Sequence, residues 1–310
     1  MALTTIASGA NHGLRYVAET VAGTTPATPK TASLAFSSCS LGIGRDTIQP
    51  NTLRDDRMMT DARSGVNNIS GDIKCDFGAA EYDPLLEAAL GGTWTGNTLK
   101  AGKAVHSFTF ERAFTDIGQY GVFTGCFVNT LSLSVQPSAF VSASFGIVGL
   151  GGDYKTAQLA VPAASKNPAP FDTFTGQLTV DGAEVAIVTG IELSLDNGIT
   201  PKYPILTRNA LGVSWGRSKL SGTLTAFFTD GTLLRKFLDD APVALAFTLT
   251  HGEASYAITI PRIIYTGADT AVQNEDVISL SLPWQASVDE TLGTNIQITR
   301  TLPATGTEGA

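Results

Sequence analysis

The sequence predicts a mainly β protein, built from two duplicated antiparallel β-sandwich or barrel modules that each carry one short packed α-helix. Three observations predict this fold. A group of residues recurs half a chain later, many short runs alternate apolar with polar residues, and 32 glycines among 310 residues supply frequent turns. Only 15% of the residues are charged, against roughly 25% in ordinary globular chains, so the chain is unusually neutral for its size.

The repeat is closest in one strand-like segment. Six residues recur with the same spacing at an offset of 151: Gly65, Ile69, Ser70, Gly71, Ile73 and Phe77 correspond to Gly216, Leu220, Ser221, Gly222, Leu224 and Phe228. Such a period is far too long for a solenoid repeat. We therefore interpret it as the duplication of a whole domain.

A short helix follows each copy of this segment. In the first copy, Asp83 is the predicted N-cap, Pro84 occupies the first helical position, and Gly91 ends the helix. The apolar spacing of Leu85, Leu86, Ala89 and Leu90 recurs as Leu233, Leu234, Phe237 and Leu238. Each module is thus expected to place one amphipathic helix on its sheets.

Further strand-like runs also correspond between the two halves. They are residues 41–43 and 193–195, 120–124 and 256–260, and 140–145 and 277–282. From these runs we predict an N-terminal arm at 1–33, a first module at 34–156, a linker at 157–170, a second module at 171–290 and a C-terminal tail at 291–310.

Composition excludes several classes of protein. With 28 acidic against 20 basic side chains, the chain would repel phosphate backbones, so sequence-specific nucleic-acid binding is not expected. No apolar run reaches the length of a membrane span, and residues 1–16 lack the basic start and apolar core of a signal peptide, so neither a membrane span nor export is expected. Cys39, Cys75 and Cys126 are widely spaced, which predicts neither a disulfide framework nor a zinc site.

One enzymatic motif needs consideration. Residues 212–216 match the G-x-S-x-G pattern around Ser214, but the helix that a nucleophile elbow requires is not predicted after it. His12, His106 and His251 lack the spacing of metal ligands. We therefore predict no enzyme activity, no metal and no cofactor, and a hydrolase is the last of the alternatives.

Several segments together resemble the tail tube (major tail) proteins of long-tailed bacteriophages with non-contractile tails. These segments are residues 70–73, 82–92, 114–120 and 123–137, and the resemblance is dense over about residues 35 to 150. It implies a structural virion protein, assembled in the host cytoplasm, that stacks in rings to form a hollow tube for DNA delivery. It also implies a tape-measure protein and tail terminator or tip proteins as partners, and no catalytic residues.

The duplication modifies this expectation. If each module gives four strands to a continuous inner sheet, six modules give about 24 strands and a backbone diameter of about 48 Å, which leaves room for a DNA duplex. Because one chain holds two modules, we predict trimeric rings with pseudo-sixfold symmetry, with a hexameric ring as the alternative. DNA would pass without specific binding.

Two groups of residues are candidates for this role. Serines that alternate with apolar residues are candidates for the lumen: Ser132, Ser134, Ser142, Ser144, Ser279 and Ser281. Equally, these serines could face outer solvent. The long connections 46–64 and 197–214, with the N-terminal arm, are expected to order on neighbouring subunits or rings. Their charged candidates for contacts between subunits or rings are Arg54, Asp55, Asp56, Arg57, Asp61, Arg63 and Arg208.

Two further functions stay open at this point. One is another virion structural or decoration protein. The other is a β-sandwich carbohydrate-binding or adhesin module, although Trp94, Trp215 and Trp284 occur singly rather than as an aromatic platform.

Overall fold

The computed structural model describes residues 6–166, 169–172, 177–185, 187–229, 231–270 and 277–303. The first half contains β1 (His12–Ala18), β2 (Ala32–Ser33), β3 (Ser38–Cys39), β4 (Gly42–Ile48), β5 (Arg63–Asp76), α1 (Asp83–Leu90), β6 (Thr98–Lys100), β7 (Phe108–Phe114), β8 (Gln119–Val135), β9 (Ser142–Gly149) and β10 (Gly151–Lys155). The second half contains β11 (Gln177–Val180), β12 (Ala183–Glu184), β13 (Val188–Asp196), β14 (Thr200–Lys202), β15 (Gly212–Ser214), β16 (Lys219–Phe227), α2 (Thr232–Leu238), β17 (Val243–His251), β18 (Ala254–Tyr265), β19 (Ser279–Ala286) and β20 (Gln297–Thr301). The predicted fold class, mainly antiparallel β with two short helices, is confirmed.

The duplication is visible in the strand pairing. The first half pairs its strands in the order β4–β5–β9–β8, and the second half repeats this order as β13–β16–β19–β18. Ile73 lies opposite Phe145, and Leu224 lies opposite Leu282 in the same place of the second set. The six-residue repeat of the sequence therefore marks β5 and β16.

The two sets of strands form one sheet. Strand β8 pairs with β13 in an antiparallel ladder in which Leu131 lies opposite Leu195 and Leu133 opposite Leu193. The resulting sheet has eight strands in the order β4–β5–β9–β8–β13–β16–β19–β18, and we call it the central sheet. The halves of the chain are thus joined edge to edge.

Each half adds an outer sheet to the central sheet. The N-terminal part of β8 turns away to pair with β7 and β10, and β1 continues this sheet beyond β7. In the second half, β18 pairs with β17 and β20, β11 continues beyond β17, and β6 of the first half adds to β20. A continuous hydrophobic core fills both modules.

The outer sheets correct the expectation for the N-terminal arm. Residues 12–18 pair with β7 of the same chain, with Leu14 and Val17 buried, so they do not lie on a neighbour. They hold the place that β11 holds in the second half. Strand β20 likewise incorporates part of the assigned C-terminal tail into the second outer sheet. Residues 1–5 and 304–310, the ends of the arm and tail, lie outside the described residues.

Helix α1 begins and ends almost as predicted. Pro84 lies in its first turn, and Gly91, with φ of 59°, ends it in the left-handed conformation that glycine favours. The N-cap residue is Tyr82 rather than Asp83, because Asp83 is already helical. The Asp83 carboxylate instead accepts hydrogen bonds from Tyr256 and Arg300. These two residues belong to β18 and β20, so the start of α1 is held by the second half of the chain.

Helix α2 is packed less closely than α1. Leu233 is buried, but Leu238 is 68% exposed. Neither helix is long and apolar enough to cross a membrane, and the rest of the described chain contains no such helix.

Burial of the Cys75 thiol predicts a loss of stability at alkaline pH. Burial raises the pKa of Cys75 from 9.0 to about 12. Above pH 9 the unfolded chain therefore releases a proton that the folded chain keeps, which favours unfolding by up to about 1.4 kcal/mol per pH unit. In urea unfolding between pH 8 and 10, Cys75→Ala should lower this slope. An unchanged slope would show that the Cys75 thiol titrates alike in both states.

Candidate functional site

One face of the central sheet is polar across both halves. All six serines predicted above lie on it and alternate with buried residues such as Leu131, Leu133 and Leu280. The strand register places Ser144, Ser132, Ser194 and Ser221 in one row across four strands. Ser142 and Ser134 begin the next row, and Ser281 lies opposite Thr225. We call this surface the polar face.

The polar face is concave and carries more negative than positive charge. A concavity of about 710 Å³ lies over its middle strands. The exposed charged residues at alternating positions of β5, β13 and β16 are Asp72, Asp76, Glu192 and Asp196 against Lys74 and Lys219. Such a surface does not attract a polyanion.

The central sheet has two open edges. On one side of β4 lies β5, and no strand of the described residues pairs with its other side. At the opposite end, residues 266–270 continue beyond β18: Thr266 donates to the Pro283 carbonyl, and Asp269 exchanges two backbone hydrogen bonds with Ser281. Their other side is likewise unpaired among the described residues. Unpaired edges of this length are sites where another strand can add.

The connection 197–214 packs on the first module of its own chain. Tyr203 donates its hydroxyl proton to the Asn67 carbonyl at 2.9 Å, and the Asn67 amide donates to the Arg208 carbonyl at 2.8 Å. Ile199, only 6% exposed, packs with Phe127 and Leu150. The expectation that this connection orders on a neighbouring subunit is therefore wrong for these residues, because their partners lie in the same chain.

The connection 46–64 is exposed instead. Leu53 is 96% exposed, and Met58 and Met59 are exposed as well. Most of its predicted contact residues pair locally: Arg54 forms an ion pair with Asp56, and Arg63 with Asp61 at 2.8 Å. Asp55 and Arg57 are exposed beside them. This segment presents apolar and charged groups together on the surface.

Sequence reasoning missed three asparagines that join the halves. Asn197 is 7% exposed and donates to the carbonyls of Ala89 and Val128. Asn129 accepts a hydrogen bond from the Ile199 amide, and Asn67 holds the connection described above. In the sequence Asn197 is only the first residue of the predicted connection 197–214. The available signal was a polar residue directly after an apolar strand, which is too common to single it out.

The structure does not support a nucleophile at Ser214. This residue ends β15, and the chain continues through irregular residues into β16 instead of a helix. The tryptophans also lie in unlike settings. Trp284 is buried, Trp215 packs edge-on against Phe127, and Trp94 lies beneath the Arg300 guanidinium at 4.1 Å.

Comparison with protein families gives a match. A family model described as phage tail tube protein matches residues 9–286, which is most of the chain. No curated protein sequence matches it.

Proposed function

Because this chain belongs to the phage tail tube protein family, we propose that three copies close into a ring and that the rings stack into the hollow tube through which DNA leaves the virion. The observation that carries this proposal is the central sheet. It holds two equivalent sets of four strands and is open at both ends. Three such sheets supply 24 strands with pseudo-sixfold symmetry.

Ring closure accounts for the open edges. An exposed sheet edge is a liability that a closed ring of strands removes. Each copy offers two different edges, so the contact joins unlike surfaces, and such contacts close when the rotation between copies divides a full turn. A closed sheet of 24 strands has a backbone diameter of about 48 Å. A B-DNA duplex, with groove depths summing to roughly 16 Å, passes through it.

The polar face is the proposed lining of the tube. It is concave, its serines offer small neutral groups, and its carboxylates outnumber its ammonium groups. DNA would slide past without being held. The tape-measure protein and the tail terminator and tip proteins are the proposed partners, and assembly in the host cytoplasm belongs to the same proposal.

Electron microscopy of the purified chain at high concentration, and of intact virions, tests this function. We expect tubes or rings whose end-on averages show three chains with a pseudo-sixfold outline. Six chains per ring would agree with the proposed tube function but contradict the proposed trimer. Virions whose tail tubes lack this chain would contradict the function itself.

The connection 46–64 should matter for assembly rather than folding. Replacing both Arg54 and Arg57 by Glu reverses two charges on an exposed segment, so we expect normal folding by circular dichroism but no tube growth. Charged contacts of this kind fix the register of an interface. The matched control, Arg54→Lys with Arg57→Lys, keeps the charge and should form tubes. Normal tubes from the Glu variant would contradict the predicted role.

A further inference from the structure

We propose that copies join through the same kind of junction that the chain already makes between its own halves. In this junction β4 of one copy pairs antiparallel with residues 266–270 of the next, and the connection 46–64 lies over the neighbour's second module. The inference rests on the proposed ring and adds to it the residue-level register of the contact between copies.

The register follows from two offsets. Ser70 and Ser221 are equivalent positions of the repeat. Ser70 lies opposite Gly42 and Ser221 lies opposite Ser194, so a residue of β13 corresponds to the residue of β4 that is 152 positions earlier. Ser132 lies opposite Ser144, and Asp269 lies opposite Ser281, so β8 maps onto the strand beyond β18 at an offset of 137.

These offsets convert each pair of the β8–β13 ladder into a pair between copies. Leu131 opposite Leu195 becomes Ala268 opposite Ile43; Ser132 opposite Ser194 becomes Asp269 opposite Gly42; Leu133 opposite Leu193 becomes Thr270 opposite Leu41. On this side, both strands of the new ladder are unpaired with other strands of the described residues, and only at Leu41, just before β4, does a side chain, the Arg112 guanidinium, already donate to the edge carbonyl. Two copies therefore pair without displacing any strand that is already present.

The exposed apolar residues support the same junction. Phe127 is 2% exposed because the connection 197–214 brings Ile199 onto it. Its counterpart in the second half, Ile264, is 38% exposed. The offset of 152 places Thr47 in the position of Ile199, and the next residue, Ile48 at the end of β4, is 61% exposed. The junction would bring Ile264 against this end of β4 and remove apolar surface from water.

Charge at the end of α2 is also complementary. Within the chain, the Asn197 side chain donates to the Ala89 carbonyl in the last turn of α1 at 2.8 Å. The same offset of 152 places Arg45 in the position of Asn197. It would meet the last turn of α2, where Lys236 is already paired with Asp181 and the exposed Arg235 is outnumbered by the exposed Asp239 and Asp240 that follow the helix. A cation at a helix C-terminus is favourable, and the two carboxylates add to this attraction.

Engineered cysteines test the register. The Asn197 amide donates to the Asn129 carbonyl, so the position equivalent to Ser132 and Ser194 is a non-hydrogen-bonded pair, with Cα atoms about 4.5 Å apart. This separation permits a disulfide. We therefore combine Gly42→Cys with Asp269→Cys in a Cys39→Ser background. The control pairs Gly42→Cys with Ala268→Cys, whose side chains point to opposite faces.

After oxidation with copper–phenanthroline, the matched pair should give covalent dimers and closed trimers on a non-reducing gel, while the control stays mostly monomeric. If the matched pair forms rings without crosslinks, or if the matched pair and the control crosslink equally, the register is wrong. The proposed ring itself would not be contradicted by either result. A chain that neither assembles nor crosslinks would count against both proposals.

A charge reversal provides an independent measurement. Arg45→Glu should reduce assembly in sedimentation experiments, and adding Asp239→Lys with Asp240→Lys should restore it. Failure of this rescue in correctly folded variants would overturn the assigned contact at α2.

Discussion

Gly222→Ala should strongly destabilise the second module. A Cβ atom at Gly222 would lie 2.0 Å from the Glu192 carbonyl oxygen and 2.4 Å from the Trp284 ring. The carbonyl belongs to the neighbouring strand β13, and Trp284 is 1% exposed, so neither group can move freely. We expect a loss of about 3 kcal/mol, at the upper end of the usual effect of overpacking.

Thermal and urea unfolding would measure this loss. For a chain of this size about 3 kcal/mol lowers Tm by roughly 5 °C. Gly212→Ala is the matched control, because a Cβ there meets nothing within 4 Å, and its effect should stay within about 0.5 kcal/mol. Equal stability of the two variants would show that the sheet relaxes around the added methyl group.

Combining Ser144→Arg with Ser281→Arg should slow DNA release from virions while leaving tubes intact. Both serines lie on the polar face, on strands β9 and β19 that are paired on both sides. In the proposed ring each copy would add two guanidinium groups to the lining, six per ring, and stacked rings would multiply the contacts with phosphates. We expect release to slow on the order of tenfold at low salt and to recover partly at high salt.

The control for this effect is Ser144→Gln with Ser281→Gln, which adds comparable bulk without charge. Release kinetics would be followed by dye binding to the ejected DNA from phage carrying each variant. Equal release kinetics in the Arg and Gln variants would contradict the proposal that the polar face lines the path of the DNA.

Much of this fold could be predicted from the sequence, because the two copies of the duplicated module keep the same residues where strands pack closely. Gly71 and Gly222 recur since an added Cβ at either site would strike the neighbouring strand, at Leu41 or at Glu192. Helix α1 could be predicted because a proline lies in its first turn and a glycine ends it. The alternation of serine with leucine likewise predicted which residues share a face.

Other features could not be predicted from local patterns. Strand β1 has a burial pattern without strict alternation, since it lies near the edge of the outer sheet, and it was assigned to an arm. The β8–β13 ladder joins residues about 60 positions apart, and a strand with one polar face shows the same periodicity whether its edge is paired or free. The candidate face was therefore predictable, whereas the surfaces that connect the modules were not.

The β8–β13 ladder has a mechanical consequence. In a ring of the proposed kind, pressure from within stretches the circumference and pulls on every seam between modules. At β8–β13 the covalent chain crosses the seam and shares this load with the hydrogen bonds. At the other three seams the hydrogen bonds and side-chain contacts carry it alone. Such a ring would tear at three points spaced by a third of a turn, and its fragments would be whole chains rather than single modules.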